Sequence, residues 1–313
     1  MRIAIKQHIT FKRMTSPYII YTYKWILNDK LQPDVGYTKG VSNNVISICR
    51  LSVEQANKFG TTVLFCDTKS AEFWSNQNIP FSKIKVLDEL DELNTHHWGL
   101  HKLLTMANFP DMPYIHIDMD IILLNNPTIH HGHDVTFGFP AWDFRTAHTI
   151  DADEISYVND VYVDTYKKWH RDDYSHLVDS GLMDFGSTPS MCYIQVNNQK
   201  SIRTAVDETI DMGRRMFNDS DFNINQYLEQ CVFFTKMKEH CVGKWRWYSD
   251  DYTHLRYDNI IGMSDGTPLN KLDINYLKDY DWVHLAALNQ YDETEVNTLL
   301  TRLKNLSENN NLL

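Results

Sequence analysis

Residues 114–124 read Tyr114-Ile115-His116-Ile117-Asp118-Met119-Asp120-Ile121-Ile122-Leu123-Leu124. Two aspartates, one residue apart, interrupt an otherwise apolar run. An ionised carboxylate inside a buried strand is costly unless it is paired or bound to a metal. The economical reading therefore ends one strand at Asp118 and opens another at Ile121. Both carboxylates then stand at the C-terminal edge of a strand, which is where open α/β sheets bind ligands. A bent backbone can aim Asp118 and Asp120 at one cation. A hard divalent ion with carboxylate, water and phosphate oxygens around it is the natural occupant. Such an ion neutralises a diphosphate and stabilises it as a leaving group. Asp-x-Asp alone is a common triplet. Its weight here comes from the strand before it and from the Ile-Ile-Leu-Leu strand and Asn125-Asn126-Pro127 after it.

Working outward, the first half alternates between two textures. Arg2–Ile9 is a short apolar strand candidate. Val41, Val45, Ile48, Leu51, Val53, Ala56 and Phe59 recur at helical spacing, and Gly60 stops that helix. Thr61–Cys66 is short, apolar and β-branched, a buried strand. Asp67 sits where the N-cap of the next helix, Lys69–Gln77, belongs. Ile84–Leu87 is a further strand. Trp98, Leu100, Leu103, Leu104, Met106 and Ala107 line a helix that ends before Pro110. Strands alternating with helices imply parallel pairing in an α/β layer arrangement.

The second half reads as more helical. Asp153–Trp169, Ser201–Phe217 and Asn223–Met237 have helical spacing, while Val135–Pro140, Met191–Val196 and Trp282–Leu285 are strand candidates. No Pro/Gly-rich hinge separates the halves. We expect one α/β domain over 1–304, made of two halves (1–125 and 126–304), and a loose tail at 305–313.

Composition narrows the function. The 313 residues are 42% hydrophobic and 23% charged, an ordinary globular balance. A net charge of −11 argues against a protein that clamps nucleic acid mainly through phosphates. The five cysteines are scattered, with no Cys-x-x-Cys pair to suggest zinc or a disulfide framework. The start lacks an apolar h-region and no run approaches the length of a membrane span, so the expectation is a cytoplasmic protein. The phosphate-binding loop, dinucleotide glycine and nucleophile-elbow motifs are absent. Two aspartates this close at a strand end are poor candidates for a glycosidase acid and nucleophile.

The Asp118-x-Asp120 strand, with its surroundings, resembles the glycosyltransferases of the GT-A fold, in which this motif holds Mn²⁺ or Mg²⁺ against a nucleotide-sugar diphosphate. Within them the chain is similar to the glycogenin-like and lipooligosaccharide galactosyltransferase-like retaining enzymes. Trp98-Gly99-Leu100-His101-Lys102 looks like their helix whose basic residue contacts the donor, a place that Lys102 matches. Tyr227-Leu228-Glu229-Gln230 resembles their acid–glutamine pair below the anomeric carbon. His284-Leu285-Ala286-Ala287-Leu288-Asn289-Gln290 resembles their late His-x-x-Gly-x-x-Lys segment, where the histidine is the third metal ligand and the lysine touches the diphosphate. The layout is also similar to an uncharacterised group of bacterial glycosyltransferases with a Trp-x-x-x-Lys helix, a His-Ile-Asp-x-Asp strand and a helix like Phe222-Asn223 to Glu229-Gln230. The sequence departs from the pattern at Ala287 and at Gln290, which brings no charge, and it lacks the usual Asn-x-Gly segment near Pro189–Tyr193.

The resemblance implies a mixed GT-A-like (Rossmann-like) sheet flanked by helices, in a catalytic domain with 1–125 as its nucleotide-sugar-binding half and 126–304 as its acceptor-side half. It also implies transfer of a sugar from a nucleoside diphosphate sugar, a UDP-sugar first, to a hydroxyl acceptor, with retention of configuration. The ion would be held by Asp118, Asp120 and His284, the donor by Lys102, and Gln230 and Glu229 would stand near the anomeric carbon. Trp98 and Gln290 fall on the donor side of the same alignment. Asp67 offers either a ribose contact or a helix cap. Trp142-Asp143 offers either a sugar-binding carboxylate or a surface turn. The default acceptor is a glycan, and a hydroxylated DNA base of a phage comes second. The alternative is a nucleotide-sugar-binding protein of the same fold without turnover, for which Gln290 is the sequence support.

Overall fold

The computed structural model describes residues 17–24, 41–93, 98–138, 140–142, 188–189, 191–215, 227–241, 244–248, 260–261, 268–285, 288 and 291–310. The strand expected at 2–9 and the helix expected at 153–169 lie outside them. In chain order the elements are β1 (Tyr18–Tyr23), α1 (Asn43–Ala56), β2 (Thr61–Cys66), α2 (Thr68–Asn76), β3 (Lys83–Val86), α3 (Asp88–Glu92), α4 (Trp98–Asn108), β4 (Tyr114–Ile117), β5 (Ile121–Leu123), β6 (Val135–Phe137), β7 (Pro140–Trp142), β8 (Thr188–Pro189) and β9 (Tyr193–Val196). They continue with α5 (Gln199–Arg215), a π-helical segment (Tyr227–Val232), α6 (Phe233–His240), β10 (Trp245–Trp247), β11 (Ile260–Ile261), β12 (Trp282–Leu285) and α7 (Glu293–Asn310).

Seven strands form the main sheet in the order β10-β6-β9-β4-β1-β2-β3. The β1–β2, β1–β4, β2–β3 and β6–β10 pairs are parallel, and β9 runs antiparallel to both of its neighbours. This is a mixed α/β sheet flanked by helices. A second sheet, β11-β12-β5, is set by antiparallel pairing of Trp282–His284 with Ile121–Leu123.

Both faces of the main sheet are covered, which is why its central strands are apolar without alternation. Ile20, Val63, Phe65 and Ile194 pack with Leu100, Leu103 and Leu104 of α4, Val206 of α5 and Phe233 of α6. Ile19, Leu64, Cys66, Ile115 and Ile117 pack on the other face with Cys49 and Val53 of α1 and Trp74 of α2. A third cluster joins α1 and α7 to β5 and β12 through Ile48, Leu51, Ile122, Val283, Val296 and Leu299.

Local signals explain several boundaries. Ser42 caps α1 by accepting from the Val45 amide at 3.3 Å. Gly60 ends that helix, its amide bonded to the Ala56 carbonyl. A Cβ at Gly60 would lie 2.3 Å from the Pro17 carbonyl oxygen, so only glycine allows β1 and β2 to start side by side.

Three expectations need correction. Residues 305–310, expected to be a loose tail, are the last turns of α7, and Ser307 is buried there, donating to Gln55 Oε1 at 2.8 Å. The Val135–Pro140 strand stops at Phe137, and Pro140–Trp142 pairs separately with Thr188–Pro189. The helix expected over Asn223–Met237 is π-helical through its described first part. Among the described residues no helix is long and apolar enough to cross a membrane.

Candidate active site

β4 ends at Ile117, and the chain turns at once. The Asp118 amide donates to the Cys192 carbonyl at 2.9 Å, which keeps it on the β9 side of the sheet. The Ile121 amide donates back to the Asp118 carbonyl at 3.1 Å, closing a four-residue turn over Asp118-Met119-Asp120-Ile121. That turn carries the chain from the main sheet into β5 of the second. It is also what places two carboxylates at one sheet edge. β12 then brings His284 opposite Ile121, and the Leu285 amide donates to the Asp120 carbonyl at 2.9 Å.

Two pairs result. His284 Nε2 lies 3.3 Å from Asp120 Oδ2. The Lys102 ammonium, reaching up from α4, lies 2.9 Å from Asp118 Oδ1 and 3.0 Å from Oδ2. The same ammonium is 3.6 Å from Glu229 Oε2 and 3.5 Å from the Met191 carbonyl oxygen. Glu229 is 1% exposed, in the π-helical segment, where the widened turn buries it together with Leu228. Single π-helical turns of this kind occur often at functional sites.

The charges are set by their neighbours. Burial disfavours the Lys102 ammonium, but Asp118 and Glu229 outweigh it and hold it above the usual lysine range. Burial and the Asp120 charge raise the Asp118 carboxyl in spite of Lys102 and His284. Burial would raise Asp120 too, but the His284 charge and hydrogen bond, with help from Lys102, hold it low. Burial works against a charged His284, and Asp120 reverses this, leaving the imidazole above its ordinary value. Burial, opposed by Lys102 and reinforced by Asp118, pushes Glu229 up to about 8. The His116 ring, bonded through Nε2 to Thr22 Oγ1 at 2.9 Å, is pushed down to about 3 by burial and Lys102.

Four buried side-chain atoms here have no hydrogen-bond partner: Asp120 Oδ1, His284 Nδ1, Glu229 Oε2 and His116 Nδ1. Buried polar atoms are rarely left so. Two carboxylates and an imidazole, one carboxylate oxygen orphaned, are a donor set suited to Mn²⁺ or Mg²⁺. Asp118, however, is turned to Lys102. Among the described residues, the trio whose ligand atoms all lie within 4.8 Å of one another is a different one, Glu208, Glu239 and His240. There Lys236 already stands 3.0 Å from both glutamates.

Asp67 stands at the same sheet edge, after β2. Its Oδ1 caps α2 by accepting from the Ser70 amide at 3.0 Å, the cap reading that the sequence offered. Its Oδ2 lies 3.7 Å from Lys24, both side chains being nearly buried. Trp98 opens α4 and Trp142 closes β7, but their side chains, and that of Gln230, lie outside the described residues, as do Asp143 and Gln290. Sequence reasoning missed Lys24, and it missed that Lys102 joins Asp118 to Glu229. Contacts between residues so far apart in the chain leave no periodic or spacing signal.

Residues 19–132, less than half of the chain, match a family of unknown function (DUF6734). No curated protein matches the chain. Among solved structures it is similar to the glycosyltransferase GlyE of Streptococcus pneumoniae TIGR4, with 10% identity and a TM-score of 0.42, over 95% of this chain and 63% of that one. The chain thus spans less than two thirds of that relative. It is also similar to the PaToxG glycosyltransferase, with 10% identity and a TM-score of 0.38, over 93% of this chain and 86% of that one. Likeness at this level does not bear on the chemistry of the site.

Proposed function

We propose that this chain is a metal-dependent glycosyltransferase that moves a sugar from a nucleoside diphosphate sugar, a UDP-sugar first, to a hydroxyl acceptor. One observation carries the reading. The turn at Asp118–Ile121 sets two carboxylates beside His284 at the ligand-binding edge of the sheet, with a buried lysine and a buried glutamic acid facing them. Asp118, Asp120 and His284 would hold Mn²⁺ or Mg²⁺, and the bound ion would neutralise the diphosphate as it leaves. Lys102 would bind phosphate oxygen as a point charge. Asp67, Trp98, Trp142, Asp143 and Gln290 complete the donor side in this reading.

Glu229 and Gln230 would stand by the anomeric carbon. With its carboxyl pushed up to about 8, Glu229 is largely protonated at neutral pH. A protonated carboxyl donates a hydrogen bond and is a poor nucleophile. That favours orienting a sugar hydroxyl over forming a covalent intermediate, and leaves the departing diphosphate to take the acceptor proton with retention of configuration. A glycan is the first acceptor class, since a chain of net charge −11 is ill suited to DNA.

The test is a donor-hydrolysis assay over UDP-, GDP- and ADP-sugars, with Mn²⁺ or with EDTA. We expect nucleotide release from one donor, lost in EDTA and in Asp120→Asn. Binding of nucleoside diphosphate without turnover of any donor would turn the assignment to a binding protein.

A further inference from the structure

The Lys102 ammonium sits where a cation on Asp118 would have to reach. It faces both oxygens of that carboxylate, at 2.9 and 3.0 Å, and is only 11% exposed. Like charges this close in a poorly solvated pocket repel by an amount that matters for binding. A divalent ion therefore cannot take Asp118 while the ammonium keeps its present position, unless it accepts a much weaker site.

A second seat is already built. Glu229 Oε2 is buried, has no hydrogen-bond partner and lies 3.6 Å from the same nitrogen. A carboxyl oxygen accepts from an ammonium whether or not the group is protonated. A small movement of the lysine tip toward Glu229 would satisfy the orphaned oxygen and free Asp118. The lysine need not leave the pocket, so a buried charge is never left without a partner.

We propose that Lys102 is a resident counter-ion of Asp118 which the divalent ion must displace, with Glu229 as its second seat. This rests on the metal-dependent reading above and adds an order to it. The bare protein takes up the metal weakly. A nucleoside diphosphate strengthens metal binding, because its phosphates offer the ammonium a new partner while they ligate the ion. By linkage the metal strengthens nucleotide binding by the same factor. Lys102 is thus a positioning residue for the metal site as well as a donor contact.

The test is a calorimetric titration of Mn²⁺ into the whole protein, alone and with saturating UDP. Lys102→Met is paired with Glu229→Gln at nearly constant volume, so that the fully buried carboxyl loses its charge together with the ammonium and the partly exposed Asp118 is the one carboxylate left to the ion. We expect the double variant to bind bare Mn²⁺ about tenfold or more tightly than wild type. We also expect the strengthening of Mn²⁺ binding by UDP to shrink. Asp118→Asn added to the double variant should cancel the gain, which separates freed Asp118 from a general change in the pocket. If wild type binds Mn²⁺ with UDP and the double variant binds bare Mn²⁺ no tighter than wild type, Lys102 does not compete and the proposal fails alone. If no protein binds Mn²⁺, with or without UDP, the metal-dependent reading falls and takes the proposal with it.

Discussion

Two clusters in this protein are made of the same parts and behave oppositely. In one, Lys102 stands between Asp118 and Glu229, with His284 close by on Asp120. In the other, Lys236 stands 3.0 Å from both Glu208 and Glu239, and His240 Nε2 lies 3.4 Å from Glu208 Oε1. The second cluster lies on the outward side of α5 and α6, where Glu208 is 40% exposed, and Lys236 with His240 holds the Glu208 carboxyl below its ordinary value despite partial burial. Each charge there has a partner or water. The first cluster is set apart by Glu229, which burial pushes up to about 8, and by the unpartnered Asp120 Oδ1, His284 Nδ1 and Glu229 Oε2. By donor spacing alone, the surface cluster is the tighter metal candidate. Its lysine already completes it. What favours the first cluster as the candidate site is that its unpartnered atoms are ligand-type oxygens and nitrogens gathered at one sheet edge, not a count of charged residues.

The comparison is tested most forcefully by removing each lysine. Lys102→Met strands two carboxyl groups in a buried pocket and should cost about 3 kcal/mol of stability, read by urea denaturation. Lys236→Met should cost about 1 kcal/mol or less, because the Glu208 and Glu239 carboxylates it leaves behind are partly exposed and can be solvated. Equal costs would mean that burial does not distinguish the clusters.

The metal side gives the next effect. Asp118→Asn and Asp120→Asn should each lower Mn²⁺-dependent nucleotide binding by tenfold or more on the scale of a lost charged ligand. Asp120→Asn, at a partly exposed strand end, should change the melting temperature little, whereas Asp118→Asn takes a counter-ion from the buried Lys102 ammonium and should lower it. Glu208→Gln, made in the tighter of the two trios, should leave metal-dependent nucleotide binding unchanged, as calorimetry would show.

The two glutamates should also respond to pH with opposite signs. Glu229 has a folded value of about 8 against an ordinary 4.5. Between these, the folded protein keeps a proton that the unfolded chain has released, so stability falls as pH rises through that window. In metal-free protein, Glu229→Gln should remove a slope of up to about 1.4 kcal/mol per pH unit. Glu208 is shifted downward, so its contribution is present above its ordinary 4.5 and is lost as pH falls through its lower folded value. At an exposed position that change should be small, a few tenths of a kcal/mol. Denaturation curves of both variants from about pH 3 to about 9 would show whether the signs differ.

The sheet was legible in the sequence where burial on both faces left continuous apolar runs. Thr61–Cys66 and Trp282–Leu285 were read with the bounds they have, and Asp118-x-Asp120 was placed at a strand end, as it is. β1 is less legible, although Tyr18-Ile19-Ile20-Tyr21-Thr22-Tyr23 is rich in aromatic and β-branched residues, because no turn or cap signal of glycine or asparagine bounds it in the sequence. The π-helical segment escaped because a 3.6-residue period cannot register an extra residue in one turn. Residues 305–310 looked loose because Asn and Ser dominate them, yet Leu303 and Ser307 dock on the core, and packing overrides composition there. Within the site, Asp118 and Asp120 could be named from the motif, and His284 from the resemblance of its segment. The shared ammonium of Lys102 could not, since it depends on a helix, a sheet edge and a π-turn meeting in space.

The most direct measurement is a thermal melt of the protein with UDP and Mn²⁺, singly and together, in wild type and Asp120→Asn. We expect the two ligands together to raise the melting temperature by more than the sum of their separate effects, with the excess abolished by EDTA and by Asp120→Asn. A UDP shift that is the same with Mn²⁺, with EDTA and in Asp120→Asn would contradict a metal-bridged nucleotide site at this sheet edge.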